Sequence, residues 1–176
     1  RRPFFPPYDK RNKKNEKKYL LVDGYNVIFA WKELNELAQV NLDGARLKLM
    51  DIMSNYQGYK QCELILVFDA YKVKQNLGTS EQYHNIHVVY TKESQTADMY
   101  IERVTHEMAS QYHMTVATSD ALEQLIITGA GAYRMSAREL KQDLERLNRE
   151  KQSNYSSQQP KSHNYLLEDI RNFKNE

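Results

Sequence analysis

The 176-residue sequence predicts an α/β fold with a largely parallel central sheet and helices on both faces. Three observations predict it. Short apolar runs recur along the chain and stop abruptly at polar residues, as strands covered on both faces do. Stretches with apolar residues at helical spacing lie between most of them. The two kinds of segment alternate, which is the pattern of strands joined by crossover helices.

The first apolar run is Tyr19–Asp23, read as a buried strand. Asp43 to Tyr56 follows as a helix, with Leu47, Met50, Ile52 and Met53 at helical spacing and Asp43 as its N-cap. Cys62–Phe68 is the second strand. Tyr71–Tyr83 is polar and contains Gly78-Thr79-Ser80, so it reads as a mobile loop. Ile86–Tyr90 is the third strand. The helix Thr96–Tyr112 places Ala97, Ile101, Val104 and Met108 on one face. Met114–Ala117 is the fourth strand, and Asp120–Thr128 a helix that Gly129-Ala130-Gly131 ends. Ala132–Met135 is a short fifth strand. Ser136 and Glu139 then form a capping box, opening a helix through Leu140, Leu144 and Leu147 to about Glu150.

The flanks differ in composition. Residues 1–18 hold three prolines, eight Lys/Arg and two Asp/Glu, and should be extended or disordered. They form a basic arm on a body in which acidic residues outnumber basic ones, 21 to 17, and such an arm suits contact with phosphates. Because the chain begins at Arg1, this arm is expected to be the linker of a larger upstream protein. Lys151–His163 is rich in Gln, Ser and Asn and is expected to be flexible; Asn164–Phe173 carries Leu166, Leu167, Ile170 and Phe173 on one helical face. The expected organisation is thus an arm (1–18), a domain (19–150) and a tail (151–176).

Several function classes are disfavoured. Mean hydropathy is −0.80, and no apolar run approaches the roughly 18 residues of a membrane span. No secretory signal is evident, so a cytoplasmic protein without a membrane partner is expected. A single cysteine, Cys62, excludes an internal disulfide and a thiolate zinc cage. His84 and His87 lack a third ligand, so zinc is not expected.

Carboxylates dominate what remains. Ligands of open parallel sheets bind outside the carboxyl ends of the strands. Three apolar strands end there in Asp23, Asp69 and Asp120, while Asp98 opens the helix after the third strand and Glu102 follows one turn later. Singly, such residues are ordinary caps or surface charges, which is the simpler account of Asp120 and Glu102. Gathered together they repel, and a hard divalent cation such as Mg²⁺ relieves that repulsion. Such a site suits phosphodiester hydrolysis.

Val22-Asp23-Gly24-Tyr25-Asn26, Val67-Phe68-Asp69-Ala70, Thr96-Ala97-Asp98 and Thr118-Ser119-Asp120 together resemble the NYN branch of the PIN-like nucleases, and within it the bacterial YacP-like subfamily. The resemblance spans about Tyr19 to Glu150. It implies a PIN-like/NYN α/β fold, Mg²⁺ or Mn²⁺ as cofactor, and endonucleolytic cleavage of single-stranded RNA, with mRNA at the ribosome as the setting. Carried over by position, it makes Asp23, Asp98 and Asp120 metal ligands and Asp69 a further member of the acidic pocket. Asn26 would orient Asp23 or touch a phosphate, or simply serve the turn.

Thirteen tyrosines supply candidate stacking surfaces for bases, with Tyr25, Tyr71, Tyr83 and Tyr133 nearest the expected site. Lys72, Lys74 and Arg134 are candidate phosphate contacts. A catalytically weak RNA- or ribosome-binding module, attached to a larger translation-factor-like protein, is the alternative. A phosphatase or DNA nuclease would share the acidic chemistry.

Overall fold

The structure, a computed structural model, describes residues 15–69 and 78–158. The expectations for residues 1–14, for Tyr71, Lys72 and Lys74, and for the helix over 164–173 lie outside the described residues.

The elements run β1 (Asn15–Asp23), α1 (Gly24–Ala30), α2 (Lys32–Val40), α3 (Leu42–Lys60), β2 (Glu63–Phe68), β3 (Ser80–Tyr83), β4 (Ile86–Tyr90), α4 (Ala97–Met108), β5 (Tyr112–Ala117), α5 (Ala121–Gly129), β6 (Tyr133–Met135) and α6 (Ala137–Gln158). The six strands make one sheet in the order β3-β4-β2-β1-β5-β6. Every pairing is parallel except that of β3 with β4.

Burial explains the apolar runs. Leu21, Val67, Met114 and Val116 share one core with Ala97, Ile101 and Val104 of α4. Their neighbours Leu20, Val22, Leu64 and Leu66 point the other way and are equally buried, so that face is covered too. There α1 and α3 pack on the sheet, contributing Ile28, Leu49 and Met53, none of which reaches solvent. Among the described residues no helix is long and apolar enough to cross a membrane.

Several elements differ from expectation. β1 starts at Asn15, four residues early: Lys18 pairs with His113, and the Lys17 ammonium lies 3.4 Å from Glu63. Charged residues at this end sit beyond the apolar core, so hydrophobicity did not mark them. α1 and α2 were not expected. The first is only seven residues long, four of them buried, and the second buries only Leu34, so neither shows a long apolar stripe. The cap of α3 is Asn41, whose Oδ1 accepts the Gly44 amide at 2.9 Å, while Asp43 pairs with Arg46 in the first turn. Ser80–Tyr83, expected as loop, is an edge strand whose polar side chains face solvent. A tight turn with His84 at φ +50° joins it to β4.

α4 ends at Met108, and Tyr112 already belongs to β5. The capping box at α6 is present: Ser136 Oγ accepts the Glu139 amide at 3.0 Å, and Glu139 accepts the Ser136 amide at 3.3 Å. That helix continues to Gln158, past the expected end. Residues 151–158 contain neither Gly nor Pro, and the first breaker is Pro160. The chain divides into two compact units, with the boundary between Gln142 and Asp143. Within the second, Arg146 binds Asp143 at 2.6 Å and Glu150 at 2.8 Å, pairs that support a helix poor in apolar residues.

The connection after β1 leads to one side of the sheet, through β2 to β4, and the chain then crosses to β5 on the other side of β1. The carboxyl ends of β1 and β5 therefore flank a topological switch point, where open α/β sheets place their ligand sites.

Candidate metal centre

Each wall of that crevice is built by a local rule. Asp23 closes β1 and caps α1, accepting the Asn26 amide at 3.4 Å. Gly24 follows it because the backbone passes against Phe68: a Cβ there would lie 2.4 Å from the ring's Cε1 and 3.0 Å from the Val67 carbonyl. Thr96 caps α4 by accepting the Met99 amide at 3.2 Å, which sets Asp98 in the first turn. Asp69, at the end of β2, accepts the Ala97 amide at 2.6 Å and ties that turn to the sheet. Asp120 caps α5, its Oδ1 accepting the amides of Leu122 at 2.9 Å and Glu123 at 3.2 Å.

The result is a cluster of Asp23, Asp98 and Glu123, one ligand oxygen from each lying within 4.8 Å of the others. Asp23 and Glu123 are buried while Asp98 is exposed, so the cluster is a buried pair with one open side. Among the described residues no other group of three or more metal-ligating side chains is so close. Burial, with the charge of Asp98, pushes Asp23 up to about 7 from 3.8. Burial, with the charge of Asp23, pushes Glu123 up to about 9 from 4.5. Thr118 partly opposes this by donating its hydroxyl to Glu123 Oε2 at 2.8 Å, but Oε1 is buried without a partner. Two carboxyls whose ionisation is opposed first by burial and then by neighbouring carboxylate charge, with a buried oxygen left without a hydrogen bond, are what a hard divalent cation with oxygen ligands would satisfy. These residues fit such an ion.

The sequence-predicted residues separate accordingly. Asp23 and Asp98 come together, and Asp69 stands close enough for its charge to act on Asp23. Asp120 does not join the cluster; it caps the helix that carries Glu123. Glu123 was missed, although it lies three residues after Asp120, about one turn along the helix, much as Glu102 lies four residues after Asp98. Asn26 turns its side chain to the opposite wall, Oδ1 accepting the Ser119 amide at 2.7 Å. Ser119 Oγ in turn accepts the Ala137 amide at 3.1 Å, and Trp31 Nε1 donates to the Ala137 carbonyl at 2.7 Å. This chain of bonds fixes α1, the β5–α5 turn and the start of α6 around the crevice.

Most of the described tyrosines are buried or half-buried. Tyr25 is 3% exposed, its ring set against Phe29 and Phe68 and its hydroxyl bonded by Arg46 at 3.1 Å. It has no face to offer a base. Tyr83 donates to Asp51 of α3. Tyr133 and Arg134 are exposed on β6.

The fold and site together define an α/β domain with a cluster of carboxylates that fits a divalent cation at the switch point of its sheet. The sequence profile of the YacP-like NYN domain matches residues 20–175, and the chain belongs to that family, a branch of the PIN-like nucleases. It is 44% identical to YacP of Bacillus subtilis (strain 168) over 133 residues, covering 74% of this chain and 76% of that protein. The crystal structure of a tryptophan-to-leucine mutant of Rae1 (YacP) from Bacillus subtilis superposes with a TM-score of 0.68 at 38% identity, over 81% of this chain and 85% of that one. A second Rae1 (YacP) crystal structure gives 0.65 at 36% identity, over 89% and 92%.

Proposed function

We propose that this chain is a divalent-metal-dependent endoribonuclease that cleaves single-stranded RNA, with mRNA at the ribosome as its setting. The orphaned, buried Oε1 of Glu123 beside Asp23 and Asp98 carries the metal-dependent part. Membership in a PIN-like nuclease family supports the reaction class, and the family resemblance alone supports the RNA substrate and the ribosome.

A divalent cation held by Asp23, Asp98 and Glu123 would neutralise a phosphodiester and supply Lewis acidity toward the attacking water and the leaving sugar oxygen. Mg²⁺ and Mn²⁺ both suit an all-carboxylate donor set. The chain's own residues do the rest. Thr118 aims Glu123, and Asp120 fixes the first turn of α5 on which Glu123 stands. Asp69 holds the first turn of α4, so Asp98 meets the others from the solvent side. That open side is where a strand of RNA reaches the cluster. Without a cation the carboxylates would repel the phosphates, so metal and substrate binding should reinforce each other.

The test is cleavage of a labelled single-stranded RNA in Mg²⁺, Mn²⁺ or EDTA, by the unmodified chain and by Asp98→Asn. Cutting that needs metal and vanishes in the variant is expected. Equal cutting in EDTA would overturn the metal reading. Binding without cutting, on free RNA and on translating ribosomes alike, would leave a binding module.

A further inference from the structure

α4 has two working flanks. Asp98 and Glu102, four residues apart, share one; Tyr100 and Arg103, three apart, share another; the buried stripe of Ala97, Ile101 and Val104 runs between them. On the Tyr100 flank lies a cavity of about 200 Å³, whose wall includes Gly78, Ser80, Lys92, Gln95, Tyr100 and Arg103. It sits beside the carboxyl end of β4, at the same edge of the sheet as the carboxylate cluster.

The cavity's chemistry is opposite to that of the cluster. Lys92 and Arg103 are exposed cations, and neither has a carboxylate partner among the described residues. The Arg103 guanidinium stands 5.5 Å from the centre of the half-buried Tyr100 ring, which orients it without neutralising it. The opposite wall is held in place: the Gly78 amide donates to the Thr91 carbonyl at 3.0 Å, and Gly78 takes φ +69°, with a Cβ there falling 3.2 Å from Lys92 Cγ. Two cations outside any ion pair among the described residues, beside the single carboxylate of Glu107 whose charge also reaches Tyr100, leave this flank with an excess of positive charge that suits an anion. An aromatic ring at the same cavity adds a surface for a base or sugar.

We propose that this cavity is a nucleotide subsite for the RNA strand, one helix width from the linkage that is cut. Lys92 and Arg103 bind a backbone phosphate, and Tyr100 contacts the attached nucleoside. The inference rests on the RNA-cleaving reading above and adds to it. A cluster of carboxylates cannot by itself attract a polyanion. A cationic subsite across the same helix supplies the attraction and sets the strand's path over the N-terminal turn of α4.

The test is equilibrium binding of a labelled single-stranded RNA oligonucleotide to the full chain in EDTA, across a range of salt, beside cleavage of the same RNA in Mn²⁺. The variants are Lys92→Ala/Arg103→Ala and the charge-keeping Lys92→Arg/Arg103→Lys, both at exposed positions and checked by melting. The alanine pair should weaken binding about tenfold or more at low salt and lower the salt slope by about 1–2. The charge-keeping pair should retain most of both. Alanine-pair binding within about twofold of the unmodified chain, with the same slope, overturns the subsite, as does an unmodified chain that binds no RNA. If the unmodified chain binds but never cuts while the alanine pair loses binding, the subsite stands and the nuclease reading fails. If it cuts and the alanine pair is unaffected, the reverse holds.

Discussion

The Thr118 hydroxyl donates to Glu123 Oε2 at 2.8 Å while also accepting the Asp120 amide at 3.2 Å, so one side chain sets both the cap of α5 and the aim of its buried glutamate. Thr118→Val keeps the shape and removes both bonds. It should cost about 1–3 kcal/mol of stability. It should also weaken Mn²⁺ affinity about 10–100-fold, the usual effect of losing a partner that orients a ligand. Calorimetric titration with Mn²⁺ checks this, and unchanged affinity would place Glu123 outside the metal site.

The two raised carboxyls make stability depend on pH in a defined direction. Asp23 at about 7 and Glu123 at about 9 keep protons in the folded chain that the unfolded chain, near 3.8 and 4.5, releases. Their contribution is complete below about pH 4 and is lost as pH rises through the two raised values. In EDTA the melting temperature should therefore fall continuously from about pH 5 to about pH 9. Millimolar Mg²⁺ or Mn²⁺ should restore most of that loss, with proton release on binding. A pH profile identical with and without metal would contradict the site.

Asn26→Ala removes the acceptor of the Ser119 amide, a bond between the two walls of the crevice. The expected cost is about 1 kcal/mol, with a larger proportional loss of RNA cleavage, because Ser119 lies between Thr118 and Asp120. Thermal melts and initial rates measured together separate the two effects.

Gly24→Ala should be worse than its size suggests. The added methyl would press on the Phe68 ring and on the Val67 backbone. Overpacking of this kind costs about 1–3 kcal/mol, and the displaced residue adjoins Asp23. Trp31, the single tryptophan, reports on such variants, since it is only 6% exposed and its indole is bonded to Ala137. Its emission should shift to the red as the chain unfolds.

The elements that were legible in the sequence are those in which burial imposes a pattern. Tyr19–Asp23, Glu63–Phe68 and Met114–Ala117 are covered on both faces and read as apolar runs, and Ile86–Tyr90 reads as one because Ile86, Val88 and Tyr90 are buried although His87 is exposed. α4 keeps one clean buried stripe. β3 was illegible because an edge strand is defined by backbone pairing, which its polar side chains do not reveal. α1 was illegible for the opposite reason, being too short and too buried to show a period. At the site, strand ends located Asp23 and Asp69, and a helix start located Asp98. The choice between Asp120 and Glu123 depends on which carboxylate caps α5 and which turns inward, and both sit in the same helical turn. Side-chain direction, which residue spacing does not encode, separates them.

The most direct test of the account is the initial rate of single-stranded RNA cleavage by Glu123→Gln, relative to the unmodified chain, across a Mn²⁺ titration. Glutamine keeps the size of the side chain and removes the charge that completes the cluster. The account predicts a loss greater than about 100-fold, beyond the range for disturbing a supporting partner alone, with the folded chain as stable or more stable in EDTA at pH 8. Cleavage at the unmodified rate and with the same Mn²⁺ dependence would contradict it.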